Sequence, residues 1–460
     1  MNQEYYLQQL EEELVVALGC TEPVSVAFAA ALARKEAGYD EPIESIELQA
    51  SVSIYKNAMS VFIPGTSDMG AAMAAALGAI GGDPSLNLQV LQNIREEDIV
   101  KARNLCAERK VVLDLAPQGT PSLYVNVIVH TQNHTGRATV AWKHDLIMEL
   151  ERDGVMTFLN DTSQVQELTD SITVDDLRDI WDFATTVDIE KLDLIRQAIE
   201  LNERIAIEGM LNSYGLEVGR SIAKSCHGAK GSSFIEKCTS CNLETDFFPE
   251  ESCCKVIPKV EGCSLSDYCA AWTAAATDAR MVGVSLPVMS NSGSGNQGLT
   301  ATVPVLSAAR YLGSTEEELL RAQTLSHLIA VHVKKSFGRL SPLCGATAAA
   351  VGASAGIVLL QGGGIEHVIA AVQNMFGTVT GMICDGAKPG CSLKVSACIY
   401  SAVQAVAVAM QGKQIAPTDG VIESDVEETI KNMERISKEG MDNMDELLLN
   451  IMLNKKSENT

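Results

Sequence analysis

Apolar residues recur at helical spacing from Glu4 onward and stop at Gly19, which predicts an amphipathic helix over residues 4–18. Thr21 then caps a second helix with Glu22 and Pro23 in its first turn, so Cys20 falls between two helices. Between Ile43 and Ile63 and between Lys110 and Trp142 the period changes. Ser45-Ile46-Glu47-Leu48 alternates, and Leu123-Tyr124-Val125-Asn126-Val127-Ile128-Val129 is rich in β-branched residues, both strand signals. Short helices such as 68–80 separate these runs, and a polar stretch at 160–173 marks a boundary. After Val174 helical periods take over, first at 175–183 and 189–211. Ser314 with Glu317 and Ser424 with Glu427 read as capping boxes of later helices. The expected fold is α+β: a mixed α/β domain over residues 1–165, then a mainly helical domain over 166–460 rich in Ala and Gly. No repeat of 20–50 residues is present.

Composition narrows the partners. Among 460 residues, 35 basic and 59 acidic side chains give a formal charge of −24, which argues against nucleic acid, because phosphate binding depends on Lys and Arg. With 46% hydrophobic and 20% charged residues the chain has material for a large core. The acidic start, with Glu4 and Glu11 to Glu13, lacks the basic end of a secretory leader, which points to the cytoplasm. The apolar stretch from Gly345 to Leu360 falls short of the ~20 residues of a spanning helix, so no membrane partner is expected. In a reducing compartment, thirteen cysteines point to metal, chemistry or burial rather than to a disulfide framework.

Three segments carry candidate chemistry. Cys344 precedes the small-residue helix, while Cys384 and Cys391 bracket a turn, Asp385-Gly386-Ala387-Lys388-Pro389-Gly390. Three thiolates can hold three irons of a four-iron cluster and leave one open as a Lewis acid; buried apolar packing is the competing reading of the same thiols. The loop Ser290-Asn291-Ser292-Gly293-Ser294-Gly295-Asn296-Gln297 combines glycines with hydroxyl and amide donors, suited to a small carboxylate, although such loops often serve only as turns. Cys20 sits at a helix N-terminus, where the dipole favours thiolate; an ordinary buried cysteine beside a cap is the alternative.

Five strings carry a family resemblance: Leu18-Gly19-Cys20-Thr21-Glu22-Pro23; Lys56-Asn57 with Pro64-Gly65-Thr66; Thr277-Asp278-Ala279-Arg280-Met281; Met289 through Gln297; and Gly381-Met382-Ile383-Cys384-Asp385-Gly386. In order, from about Leu14 to about Asn450, they resemble the L-cysteine desulfidase family, itself similar to the catalytic part of bacterial iron-sulfur L-serine dehydratases. The resemblance implies a [4Fe-4S] cluster held by Cys344, Cys384 and Cys391 in the helical domain, with an open iron for the leaving group of a small amino-acid substrate. It implies α,β-elimination on L-cysteine to pyruvate, ammonia and sulfide, with L-serine as the alternative substrate. Cys20 is then the candidate base or temporary fourth ligand, and His327 a candidate proton carrier. Lys56, Asn57 and Arg280 are candidate anchors of the substrate carboxylate beside the 290–297 loop, with Arg280 alternatively bridging to Asp278. Arg339 and Lys394 would offset the charge of a thiolate cluster.

One segment departs from the family pattern. Seven cysteines lie between Cys226 and Cys269, in an insertion that includes Cys238-Thr239-Ser240-Cys241. Cys226, Cys238, Cys241, Cys253, Cys254 and Cys263 form a candidate second metal site, zinc or iron-sulfur, against a loop with scattered thiols. Cys106 and Cys398 read as core residues. A non-catalytic metal sensor or store is the alternative from another class, and it would not require the 290–297 loop. A pyridoxal phosphate lyase would require a Schiff-base lysine, which that loop lacks. Two-domain enzymes of this size are often symmetric homodimers.

Overall fold

The computed structural model describes residues 3–161, 176–226 and 263–455. In the first stretch lie α1 (Gln3–Glu13), β1 (Val16–Leu18), α2 (Thr21–Ala37), β2 (Ile43–Ala50), α3 (Val52–Ala58), α4 (Ala71–Gly81), α5 (Glu96–Ala107) and β3 (Val111–Leu115). It closes with β4 (Tyr124–Thr131), β5 (Thr135–Ala141), β6 (Ile147–Arg152) and β7 (Val155–Leu159). The rest is helical apart from β8: α6 (Leu177–Thr186), α7 (Asp193–Leu211), α8 (Val218–Cys226), α9 (Leu265–Met281), β8 (Pro287–Met289), α10 (Gly295–Leu312) and α11 (Glu316–Phe337). The last helices are α12 (Gly345–Leu360), α13 (Ile365–Thr378), α14 (Cys391–Ala409), α15 (Val426–Arg435) and α16 (Met444–Leu453). The fold is α+β with a helical C-terminal region, as the periodicities predict.

Six strands form one sheet in the order β3-β2-β4-β5-β6-β7, antiparallel except for the β2–β3 pair. Ile46, Leu48 and Ala50 of β2 and Val125, Val127 and Val129 of β4 send their side chains into one core beneath α2 and α4. Gly136 of β5 lies directly under α2. A Cβ there would meet the Ala33 carbonyl at 2.1 Å, so only glycine lets the helix lie on the sheet. The helical region packs by the same device, since a Cβ on Gly352 of α12 would stand 2.1 Å from the Ser326 carbonyl of α11. The helix α14 is long and apolar enough to cross a membrane, but it packs among α9, α12 and α13.

The predicted helix 4–18 is two elements. Helix α1 ends at Glu13, and Val16–Leu18 pairs antiparallel with Pro287–Met289, a partner distant in sequence that local periodicity cannot reveal. This two-stranded ribbon ties the sheet half to the helical half and places the residues before Val16 beside the loop after Met289, where the Val15 and Glu13 carbonyls accept from the Ser290 and Ser292 N–H groups. The run 43–63 is likewise not all strand: Ser51 Oγ accepts from the Ile54 N–H and starts α3. Two caps lie one residue later than expected, with Thr315 and Glu318 forming the box of α11 and Asp425 capping α15. Thr21 is the first residue of α2, and Cys20 occupies the cap position without a side-chain capping bond. The 160–173 boundary falls almost wholly outside the described residues.

Candidate functional site

The resembling strings meet at one place. Gly19, at φ +74°, lets the Cys20 turn lie against Pro64, since a Cβ at 19 would overlap that ring at 2.0 Å. Arg280, at the end of α9, donates to the Gly19 carbonyl (2.7 Å) and to Asn296 Oδ1 (2.9 Å). It therefore joins the Cys20 turn to the 290–297 loop and does not bridge to Asp278. Asp278 instead accepts from the Gly219 N–H at 3.1 Å, and burial pushes its carboxyl up to about 6.

Cys344 and Cys384 are set by a short antiparallel bridge between Leu343 and Ile383: the Cys344 N–H donates to the Met382 carbonyl (2.9 Å) and the Cys384 N–H to that of Pro342 (2.7 Å). Residues 344 and 384 thus share one face of the ribbon, opposite Leu343 and Ile383. Cys391 is the first residue of α14, and its thiol packs with Cys20, Val61, Met281 and Ala387. Burial pushes the Cys344 thiol up, with Cys384, Cys398 and Cys391 adding to it, and burial followed by Cys384 raises Cys391. Two segments distant in sequence, at Cys344 and at the turn from Cys384 to Cys391, therefore bring their thiols near enough to feel one another's charge.

Cations surround them. Lys334 of α11 is buried, and burial brings its ammonium down to about 8 against the opposing pull of Cys384 and Cys344. Lys394 donates to the Ile383 carbonyl (2.7 Å) and pairs with Asp385, whose other oxygen meets Lys388. Arg339 pairs with buried Glu13 at 2.7 Å.

Cys20 is not the thiolate its helix position suggests. Its thiol donates to Glu22 Oε2 at 3.1 Å, and burial followed by the Glu22 charge pushes it well up. Burial and one carboxylate outweigh a helix dipole worth about 0.3–1 kcal/mol. Glu22 also accepts from Thr21 (3.2 Å) and Asn57 Nδ2 (2.9 Å); burial opposes its ionisation, yet His144 and these bonds hold it below the usual carboxylate range.

Lys56 departs from its expected role. It is 1% exposed and bonds Asp445 Oδ1 (2.7 Å) and the Cys384 carbonyl (3.0 Å), so it fastens the cysteine turn and is not open to a carboxylate. His327 is a brace: its Nδ1 meets Asn291 Nδ2 (3.1 Å), its Nε2 meets Thr302 Oγ1 (3.0 Å), and burial takes the ring down to about 3. Both nitrogens are committed within the core, which leaves no free base there.

The 290–297 loop spends most of its side chains on itself. Ser290 donates to the Val15 carbonyl (2.6 Å), Asn291 Oδ1 accepts from Ser292 and from Gln297 Nε2, and Ser294 caps α10. Ser292 and Gly293 take positive φ of 49° and 78°. The N–H groups of Gly295 and Asn296 lie in the first turn of α10, where no intrahelical carbonyl accepts them. Several buried side-chain atoms have no partner, among them Gln297 Oε1, Asn57 Oδ1, Arg280 Nε and both nitrogens of His144. Gln297 Oε1 lies over Gly345, the residue after Cys344, where a Cβ would come within 2.9 Å. Unpaired atoms of this kind, beside converging thiols, fit a cluster together with a small polar ligand.

Sequence reasoning missed Glu22 as an acceptor, Lys334 and His144. Lys334 reads as an ordinary cation at a helix end, and His144 follows a strand in Trp142-Lys143-His144-Asp145, which carries no motif. Of the insertion, Cys238, Cys241, Cys253 and Cys254 lie outside the described residues. Cys226 and Cys263 lie with their sulfurs 2.8 Å apart, and Asp267 completes a three-residue group of ligand atoms within 4.8 Å of one another. Cys269 is buried in α9 and donates to the Pro304 carbonyl, and Cys398 is buried in α14.

Residues 85–450 match the serine dehydratase alpha chain family. Relatives along nearly the whole length include UPF0597 proteins of Oleidesulfovibrio alaskensis (43% identical over 455 residues, 98% of either chain) and Shewanella halifaxensis (37% over 462 residues, 98% of either chain). Another, from Bacteroides thetaiotaomicron, is 36% identical over 446 residues, covering 97% of this chain and 96% of its own. With the thiols, the loop and the alignment agreeing along the chain, this protein belongs to the serine dehydratase alpha chain family, a family of iron-sulfur lyases.

Proposed function

We propose that this protein performs α,β-elimination on a small L-amino acid, L-cysteine in the first place, to pyruvate, ammonia and sulfide. The observation that carries the reading is the convergence of Cys344 with Cys384 and Cys391 of the following turn, beside Cys20 and the start of α10. Cys344, Cys384 and Cys391 would hold a [4Fe-4S] cluster. When bound, the cluster supplies an open iron that acts as a Lewis acid on the β-substituent.

The chain's own residues do the rest. The N–H groups of Gly295 and Asn296, at the positive end of α10, suit the substrate carboxylate, with Arg280 Nε as a further donor, while Gln297 Oε1, an acceptor, suits the ammonium. Asn57 Oδ1, unpaired and buried, suits the ammonium. Cys20 is the fourth thiol in reach and holds its proton against Glu22. Lys334, Lys394 and Arg280 offset the negative charge that three thiolates bring.

Cysteine is favoured over serine by the surroundings of Cys20 and Cys391, where Val61, Met281 and Ala387 offer soft, apolar contact. An apolar rim discriminates by only about 10–200-fold, so L-serine remains the second substrate of this reading. Anaerobically reconstituted protein is expected to release sulfide and pyruvate from L-cysteine with a kcat/KM about tenfold or more above that for L-serine. Equal or greater turnover of serine would make it a dehydratase.

A second metal belongs to the proposal. Cys226, Cys263 and Asp267 make a zinc donor set one ligand short of tetrahedral. Chelator-washed protein should bind one zinc that Cys263→Ser loses, and an unchanged zinc content in that variant contradicts the site. The setting proposed is the cytoplasm, where thiols stay reduced, and the assembly a symmetric homodimer.

A further inference from the structure

His144 lies in the turn between β5 and β6, after Trp142 in the left-handed region at φ +69°. It is 3% exposed, and neither ring nitrogen has a hydrogen-bond partner. A buried polar group left so costs about 1–3 kcal/mol, a cost a ligand can remove. The ring lies against the 290–297 loop: a Cβ on Gly293 would come within 2.7 Å of His144 Nδ1, so glycine there makes room for the imidazole beside the loop.

The other basic groups of the site are committed. Cys20 holds its proton on Glu22, Glu22 accepts three side-chain bonds, Lys334 donates to Ser341 and faces the cluster thiols, and His327 is bonded at both nitrogens. His144 is, among the described residues of the site, the base with lone pairs to offer. We propose that His144 is a catalytic residue that takes the α-proton of the bound amino acid, an assignment that rests on the lyase reading above.

Burial keeps the ring below its usual value and hence neutral at neutral pH, ready to accept a proton. Glu22 on α2 and Asp145 on the same turn stabilise the imidazolium that forms, while Arg339 and Lys334 from the α11 side oppose it, so that the proton is not held permanently. In the step the Cα–H bond breaks and its proton passes to the imidazole. The electron pair forms the Cα–Cβ double bond as the Cβ–S bond breaks, and the sulfur leaves with its pair as hydrosulfide. The imidazolium can return the proton to Cβ as the enamine becomes the imine, which water hydrolyses to the 2-oxo acid and ammonium.

The test uses anaerobic holoprotein of wild type, His144→Asn and His144→Gln with L-cysteine and L-serine, protiated and α-deuterated. Expected is a kcat lower by about 10²–10⁴ in both variants, with KM within about threefold, iron and sulfide content unchanged, and a larger α-deuterium isotope effect. A kcat within about threefold of wild type in either variant overturns the assignment, and so does loss of iron in step with activity in both, which would make the ring structural. If wild type releases no product from either amino acid, the lyase reading fails and the assignment goes with it.

Discussion

Cys384→Ser should lose its iron-sulfur absorbance, its iron and its elimination activity together. The position is fixed by backbone bonds, the Cys384 N–H to Pro342 and the Leu343–Ile383 bridge, which a serine side chain leaves in place. The fold should therefore survive, with unchanged far-UV circular dichroism, while a soft thiolate is replaced by a hydroxyl that binds iron poorly. The loss should exceed about 10⁴-fold, since catalysis by a metal is removed outright. Cys398→Ser is the matched control: it also removes a buried thiol, in contact with Met382, but should keep its iron and most of its rate. A colourless Cys384→Ser protein with wild-type turnover would remove the cluster from the mechanism.

Lys56→Met should destabilise the protein by about 1–3 kcal/mol in denaturant unfolding, because it takes the buried ammonium from the Asp445 carboxylate, whose side chain is 14% exposed, and from the Cys384 carbonyl. Lys56 is 1% exposed and spans Asp445 of α16 and the Cys384 carbonyl; Ser53 bonds the other Asp445 oxygen at 2.6 Å. Methionine fills the stem of the lysine but leaves Asp445 and one carbonyl without their donor. Gly386 lies against the Lys56 carbonyl, so the turn between Cys384 and Cys391 loosens as α3 shifts, and iron retention should fall as well. Replacing both partners, Lys56→Met with Asp445→Leu, should recover most of the stability, since an apolar pair avoids the stranded charge. A single variant as stable as wild type would show that Lys56 is not the fastening described.

Much of this architecture was legible in the sequence because its signals are local. The alternation through Leu48 and Val125–Val129 gives the sheet, and the Gly and Ala spacing of α12 gives a buried helix with the predicted ends. The β1–β8 ribbon was not legible, since Val16 finds its pairing at Met289 and no local pattern near Val16 encodes that partner. The candidate site was legible as segments, because Gly19, Pro64 and Arg280 recur in resembling strings that the fold brings into contact. Roles within it depend on which atoms are already bonded. Lys56 and His327 look functional by residue type and are consumed by Asp445, Asn291 and Thr302, whereas His144 looks ordinary in sequence and is left with two free nitrogens. Cys20 shows the same limit: a helix N-terminus suggests a thiolate, and burial together with the Glu22 carboxylate two residues on reverses it.

The central claim, that three thiols hold a cluster with an iron left for substrate, is tested most directly by Mössbauer spectroscopy. Protein reconstituted anaerobically with ⁵⁷Fe would be measured before and after addition of L-cysteine. One iron in four should change its isomer shift and quadrupole splitting on addition while the other three keep theirs, and the change should be absent in Cys384→Ser. Reconstituted protein whose four irons respond identically, or that takes up no iron at all, would contradict it.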